Sequence, residues 1–162
     1  MLQEIGTRLI DRGYKVIPIK KGKKFPCIDE WQKANATHED LARWSKEFPE
    51  IGIGVLCKNT IAVDVDCRNV SLVKLCAKWL EENVGIAAAR IGNQPKMLFA
   101  YRGNPRKKIK SVEFECQEGN KHAVEVLGDG QQFVAFGVHP DTQKPYRWLK
   151  SYASLDSVNH EE

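Results

Sequence analysis

Two aspartates, Asp64 and Asp66, lie in an otherwise apolar and largely β-branched segment at residues 61–67. Side chains alternate faces along a β-strand, so both carboxylates emerge on one face while Val63 and Val65 point into the core. Neighbouring acids repel each other, and Mg²⁺ or Mn²⁺ relieves that repulsion because these cations prefer oxygen ligands. The spacing therefore indicates a metal site for phosphoryl transfer, in which metal ions neutralise a triphosphate. The alternative is a strand end whose aspartates face water.

Length, composition and charge indicate one globular domain. The chain has 162 residues, of which 42% are hydrophobic and 28% are charged, and both values are typical of globular proteins. The net charge of +4 permits a polyanionic partner without requiring one. Basic residues cluster in two predicted loops, and such clusters are either solvated or bound to phosphate backbones. The first loop contains Lys20, Lys21, Lys23 and Lys24, and the second contains Arg102, Arg106, Lys107, Lys108 and Lys110.

The cysteines carry no metal-binding pattern. They show no Cys-x-x-Cys spacing and no paired histidine, so they do not indicate a zinc site. Their odd number and the lack of a signal peptide favour a reducing cytoplasm. No apolar stretch approaches the length of a membrane span, so we expect a cytoplasmic domain with no membrane partner. The five cysteines are Cys27, Cys57, Cys67, Cys76 and Cys116.

Apolar periodicity predicts helices at about residues 2–12, 37–48 and 69–83. Thr37 and Asp40 have the spacing of a capping box at the start of the second helix. The third helix is predicted to turn one apolar face inward. That face comprises Leu72, Leu75, Cys76, Trp79 and Leu80.

Strands are predicted between and after these helices, which gives an α+β fold. The turn residues Gly128-Asp129-Gly130 predict a tight hairpin between the last two strands. The polar residues at 151–162 predict a tail or the start of a linker. The predicted strands lie at about residues 14–19, 51–56, 60–66, 86–91, 96–101, 110–115, 122–127 and 132–136.

Several segments occur in the order of the motifs of a known family. An apolar strand carrying Asp-x-Asp at 61–66 follows Gly52-Ile53-Gly54-Val55, and a later strand at 124–128 carries the single acid Glu125. Residues 132–140 and 145–148 resemble the segment after that acid, and Trp31 resembles a tryptophan before the first motif. In this order the motifs resemble the N-terminal primase–polymerase domain of the archaeo-eukaryotic primase superfamily, in the versions carried by phages, plasmids and integrated elements.

The middle motif of the superfamily differs in this chain. The superfamily usually has Ser or Thr, one residue and then a His that helps to bind the incoming nucleotide, whereas residues 90–99 contain no histidine. The stretch resembles a variant in which Arg90 and Lys96 supply positive charge instead. Both side-chain types bind phosphate, and arginine does so with a bidentate fork.

The resemblance implies a primase-like catalytic core with mixed and antiparallel sheets, an RRM-like element and flanking helices over residues 1–150. It implies a metal-dependent DNA primase and polymerase, in which a 3′-hydroxyl attacks the α-phosphate of an incoming nucleotide. Asp64, Asp66 and Glu125 would be the catalytic residues and would hold Mg²⁺ or Mn²⁺. Glu125 alternates with Val124 and Val126, so it points away from the apolar side of its strand.

The resemblance also implies nucleotide and nucleic-acid contacts. Arg90, Lys96 and His139 would bind the nucleoside triphosphate. The expected partners are a DNA template, a primer, nucleoside triphosphates and a replicative helicase in the same chain or another. The predicted DNA contacts are Lys23, Lys24, Arg106, Lys107 and Lys108.

Two other functions stay open on the sequence. One is a replication module that binds nucleotides or nucleic acid but has lost the chemistry, which the missing histidine supports. The other is a different metal-dependent nucleotidyl transferase or nuclease, because Asp-x-Asp on a strand suits those enzymes as well.

Overall fold

A computed structural model of the chain describes residues 2–105, 111–115, 119, 121–150 and 155. Its helices are α1 (Leu2–Asp11), α2 (His38–Glu47) and α3 (Val70–Asn83), with a 3₁₀ turn at Trp31–Lys33. Its strands are β1 (Val16–Ile19), β2 (Gly52–Leu56), β3 (Thr60–Asp66), β4 (Ala88–Ile91), β5 (Met97–Arg102), β6 (Val112–Glu115), β7 (Lys121–Leu127), β8 (Gln132–Phe136) and β9 (Arg147–Trp148).

The described strands form two antiparallel sheets. The smaller sheet has the order β1-β2-β8, and the larger has the order β6-β7-β3-β5-β4-β9. Every pairing between these strands is antiparallel. With three α-helices packed on these sheets, the predicted α+β fold is confirmed. None of the described helices has the length and apolar character that crossing a bilayer requires.

The chain passes between the sheets at two adjacent turns. β2 and β3 follow one another in sequence but belong to different sheets, and so do β7 and β8. The backbone N–H of Cys57 donates to the carbonyl of Gln131, which ties the two crossings together. The predicted hairpin at Gly128-Asp129-Gly130 is therefore wrong. The turn does reverse the chain, with Gly130 at φ +83°, but the strand after it pairs with β2.

Alternation along β3 gives the larger sheet two different faces. Val63 and Val65 pack with Phe99 and with Val73 of α3, so this face is covered by the helix. Ala62 belongs to the other core, which it shares with residues of the smaller sheet. Asp64 and Asp66 are two and four residues after Ala62, so they share its face and lie toward the smaller sheet.

Helix α3 buries only part of the face that was predicted: Leu80 is buried, and Leu72 and Cys76 are partly buried against the same core. Val73, Ala77 and Leu80 are its buried residues, whereas Leu75 is 63% exposed and Trp79 is 57% exposed. The buried face therefore includes Val73 and Ala77, which the prediction did not include.

The C-terminal residues contribute to the core at one described position. Leu155 is buried and packs with the residues between α1, α2 and the sheets. The boundary at residue 150 between a catalytic domain and a tail stays a prediction, but the core includes this later residue.

Candidate active site

A cleft of about 140 Å³ opens between the two sheets, and we call it the first cleft. The larger sheet contributes Asp64 and Asp66 from β3 and Arg90 from β4, while the smaller sheet contributes Val134 from β8. Each of these residues is on a regular strand, so its position is set by the register of the sheet. The loops around the strands complete the lining with Lys24, Gly92, Lys96, His139, Asp141 and Tyr146.

Asp64 is a carboxylate in a crowded and partly dry position. Burial raises its pKa, and the negative charges of Asp66 and Glu125 raise it further, while Arg90 and Lys24 lower it. Within the described residues its side chain makes no hydrogen bond and no ion pair. A carboxylate in this state gains a great deal from a bound cation.

Asp66 already has a cationic partner. The Nζ atom of Lys96 lies 2.5 Å from Oδ1 of Asp66, and the two side chains are 28% and 48% exposed. Met97 is paired with Val65 in the register of β5 and β3, so Lys96, the residue before it, lies opposite Asp66. The ion pair is thus a product of strand register.

Glu125 is paired with Asp64 in the register of β7 and β3, and it lies on the opposite face from Val124 and Val126, as alternation predicts. Its Oε1 accepts a hydrogen bond of 3.0 Å from Ser111, and it does not line the first cleft. Among the described residues, no three His, Cys, Asp or Glu side chains form a group that could hold a metal ion. Mg²⁺ is commonly held by one or two carboxylates and substrate phosphates, so Asp64 and Asp66 fit such an ion without a third ligand.

Arg90 is a buried cation that joins the two sheets. Only 8% of the residue is exposed, and its Nη1 donates a hydrogen bond of 2.6 Å to the carbonyl of Val134. Its guanidinium carbon lies 4.2 Å from the ring centroid of Tyr146. Its Nε has no hydrogen-bond partner, and the residue makes no ion pair within the described part of the chain. Burial lowers its pKa while Tyr146 and Asp64 raise it, and arginine keeps its charge, so the cleft holds a buried positive group that acts electrostatically on Asp64.

His139 is buried at the wall of the first cleft. Its Nδ1 accepts hydrogen bonds from the backbone N–H groups of Asp141 and Thr142, at 3.2 and 3.4 Å. Burial is the main cause that lowers its pKa, and Lys24 lowers it further. The ring is therefore neutral near pH 7, with its proton on Nε2, where it can serve as a hydrogen-bond donor.

A second cleft, of about 550 Å³, lies at the end of the larger sheet. It shares Asp66 and Lys96 with the first cleft. Phe114 of the edge strand β6 is 38% exposed there, and its ring lies 5.3 Å from that of His122. The other residues that line it are Arg68, Glu113, Glu115, Lys121 and Ala123.

The sequence from residue 7 to residue 160 matches the family model for the bifunctional DNA primase/polymerase, N-terminal domain. The chain belongs to this family. Nucleotidyl transfer of the DNA primase and polymerase type is the activity of the family as a whole. No curated protein sequence matches the chain.

The site of this primase/polymerase domain brings together most of the residues predicted for metal and nucleotide. Asp64, Asp66, Arg90, Lys96 and His139 all line the first cleft. Glu125 lies beside Asp64 but outside the lining. Their roles as ligands and contacts remain predictions.

The residues predicted to bind DNA are placed less uniformly. Arg106, Lys107 and Lys108 lie outside the described residues. Lys23 is exposed, and its backbone N–H donates a hydrogen bond to the carbonyl of Lys20, which closes a turn. Lys24 lines the first cleft, which places its charge near the predicted nucleotide.

Tyr146 and Gly92 are among the residues of the cleft that the sequence analysis did not name as site residues. Tyr146 stacks on Arg90 and meets His139 edge-on, with 5.2 Å between ring centroids. Gly92 leaves room for these rings, because a Cβ there would lie 2.5 Å from Tyr146 and 2.6 Å from His139. The available signals were the glycine directly after the predicted strand at 86–91 and the Pro-Tyr-Arg-Trp segment at 145–148.

Proposed function

We propose that this domain joins nucleotides on a DNA template, with the nucleoside triphosphate and a divalent cation bound in the first cleft. One observation carries the proposal: Asp64 is a carboxylate and Arg90 a buried cation, and neither makes an ion pair within the described residues. A metal–triphosphate complex supplies a cation for the first and an anion for the second. Membership of the primase/polymerase family supports the same reading.

Asp64 and Asp66 are the proposed ligands of Mg²⁺ or Mn²⁺, and Glu125 is the proposed third ligand. Bound there, a divalent cation would lower the pKa of the attacking hydroxyl and stabilise the leaving pyrophosphate. The position of Asp64 and Asp66 on a central strand of the larger sheet supports their role, because a rigid strand fixes the distance between them. Glu125 would have to leave Ser111 to join them, since its carboxylate accepts that hydroxyl.

The cationic and donor groups of the first cleft are proposed to hold the triphosphate. Arg90 orients it, because its guanidinium is fixed by Val134 and Tyr146 and can contact phosphate oxygens with its remaining N–H groups. His139 donates one hydrogen bond from Nε2 to a phosphate or sugar oxygen. Lys24 and Lys96 add positive charge at the same cleft. The smaller sheet covers the site and limits the access of water.

The second cleft is proposed to receive the primer end of the DNA. It shares Asp66 with the first cleft, so a 3′-hydroxyl there would approach the proposed metal ligands. Exposed Phe114 suits stacking on a base, and Arg68 and Lys121 suit contact with phosphates. Lys23, Arg106, Lys107 and Lys108 remain the proposed contacts to the template backbone.

A second candidate function is a module that binds nucleotides or DNA without catalysis. The ion pair between Lys96 and Asp66 favours it, because one of the two central carboxylates is already neutralised. The hydrogen bond from Ser111 to Glu125 also favours it, because it occupies an oxygen of the proposed third ligand.

The direct test is incubation of the full chain with a primed DNA template, labelled nucleotides and Mn²⁺ or Mg²⁺. We expect primer extension with the parent and none with Asp64→Asn. Binding of the template without extension in the parent would support the second candidate instead. Degradation of the labelled DNA would identify a nuclease and contradict both.

A further inference from the structure

Lys96 stands at the point where the two clefts meet. With Asp66 it is one of the two residues that line both of them, and the ion pair between them measures 2.5 Å. Its backbone N–H donates to the carbonyl of Asn93, at 3.1 Å, which closes a turn just before β5. The turn and the strand register therefore deliver the lysine ammonium to the Asp66 carboxylate.

The chemistry of this contact differs from that of the neighbouring carboxylate. Asp64 has no ion pair within the described residues, whereas Oδ1 of Asp66 accepts an ammonium group. A divalent cation and an ammonium compete for the same oxygen lone pairs and the same negative charge. Lysine is suited to exchange, because its charge is compact and its stem is long and flexible.

We propose that Lys96 is a resident counter-cation of Asp66, which a divalent metal ion displaces and whose ammonium then binds the triphosphate. This proposal rests on the proposed function, because it takes Asp66 to be a metal ligand. It changes the role of Lys96 from a permanent phosphate contact to a group that exchanges partners. It also couples metal and triphosphate binding. A metal ion on Asp66 releases Lys96 for the triphosphate, and a triphosphate on Lys96 releases Asp66 for the metal.

The expected size of the effect follows from the exposure of the pair. A partly exposed ion pair contributes little, so removal of the ammonium should strengthen metal binding only about two- to fivefold. Removal of a positive charge from any nearby position would also strengthen cation binding. A matched lysine on the same cleft is therefore the necessary control, and Lys121 provides it because it lines the second cleft with Asp66.

The experiment measures Mn²⁺ affinity of the full chain by the paramagnetic signal of the free ion, without nucleotide or DNA. Lys96→Met should bind Mn²⁺ about two- to fivefold more tightly than the parent. Lys121→Met should differ from the parent by clearly less, and Lys96→Arg, which keeps a cation opposite Asp66, should not bind more tightly. Circular dichroism of all variants checks that each one is folded.

A companion measurement follows the ammonium. Affinity for inorganic triphosphate is measured with saturating Mn²⁺ and in chelator, for the parent and for Lys96→Met. The loss caused by Lys96→Met should be larger with Mn²⁺, because only then is the ammonium free of Asp66. An equal loss in both conditions would show that Lys96 contacts phosphate without exchange, and would overturn the proposal.

The remaining outcomes are also decisive. Equal Mn²⁺ affinity in the parent and Lys96→Met would overturn the exchange but leave the proposed function intact. An equal gain in Lys96→Met and Lys121→Met would reduce the effect to general electrostatics and overturn it too. Absence of Mn²⁺ binding in every variant would contradict both the exchange and the metal site of the proposed function.

Discussion

The two clefts differ in the kind of surface that lines them. The first lies between two sheets, encloses about 140 Å³ and contains the buried side chains of Arg90 and His139. The second lies at the end of one sheet, measures about 550 Å³ and includes the exposed ring of Phe114 on an edge strand. An enclosed cleft with fixed charges suits one small anion, whereas an open surface suits a polymer of variable sequence.

The comparison also shows what the clefts have in common. Asp66 and Lys96 line both, so any two ligands that occupy them meet at this ion pair. A reaction between a small and a large substrate requires such an arrangement, since each substrate needs its own entrance and one shared point of contact. Substitutions confined to one cleft should therefore affect one substrate, and substitutions at the shared carboxylates should affect the reaction itself.

The largest effect is expected from Asp64→Asn. A metal ion contributes several kcal/mol to the transition state, so loss of a ligand should reduce primer extension on the order of a thousandfold or more. Asp129→Asn is the matched control, because it makes the same change in an exposed turn. If Asp64→Asn extends primers at the rate of Asp129→Asn, the first cleft is not the site of the reaction.

Arg90→Lys should have the next largest effect, and it should fall on the nucleotide. A charged hydrogen bond contributes roughly 1.5–3 kcal/mol, so the KM for nucleotide should rise about ten- to hundredfold while the KM for primer stays constant. Arg147→Lys, on the exposed side of β9, is the control. If Arg90→Lys does not fold, Lys24→Met probes the same cleft. A change in the KM for primer alone would contradict the role of Arg90 in nucleotide binding.

Phe114→Ala tests the second cleft, where a smaller effect is expected. Loss of one stacking partner should raise the KM for primer about tenfold and leave the KM for nucleotide unchanged. Trp79→Ala removes an exposed aromatic ring from α3, outside both clefts, and should change neither. An effect of Phe114→Ala on nucleotide KM would mean that the two clefts do not separate the substrates.

The smallest effect concerns stability in metal-free buffer. Burial raises the pKa of Asp64, so the folded state holds its proton more tightly than the unfolded chain does. Stability from this group is present below the ordinary carboxyl pKa and is lost as pH rises through the raised value. Asp64→Asn should therefore melt a few degrees above the parent at pH 7, and the difference should close near about pH 4. A lower melting temperature at pH 7 would contradict this account of the site.

Local patterns predicted the parts of the fold that depend on local physics. The spacing of Thr37 and Asp40 predicted a capping box, and the structure contains both of its hydrogen bonds. Alternation along β3 predicted that Asp64 and Asp66 share one face and Val63 the other, which the two cores confirm. These features depend on residues two or three positions apart, so the sequence contains all the necessary information.

Long-range pairing and burial were not predictable in the same way. The turn at 128–130 predicted a chain reversal, but the choice of β2 as partner of β8 depends on a strand far away in sequence. The burial of His139 depends on Gly92 and Tyr146, and its contact with Gly92 joins segments that are far apart in the sequence. Leu75 and Trp79 of α3 are exposed for a related reason: the apolar residues of this helix cover more than one face, and only one face can pack on the sheet.

The central claim is that the first cleft binds a metal–triphosphate complex through Asp64, Asp66 and Arg90. The most direct test is a crystal structure of the full chain with Mn²⁺ and a non-hydrolysable nucleotide, with an anomalous difference map that locates the manganese. We predict an anomalous peak within coordination distance of Asp64 and Asp66, with the phosphates against Arg90 and His139. A nucleotide bound in the second cleft, or a manganese peak away from both aspartates, would contradict the claim.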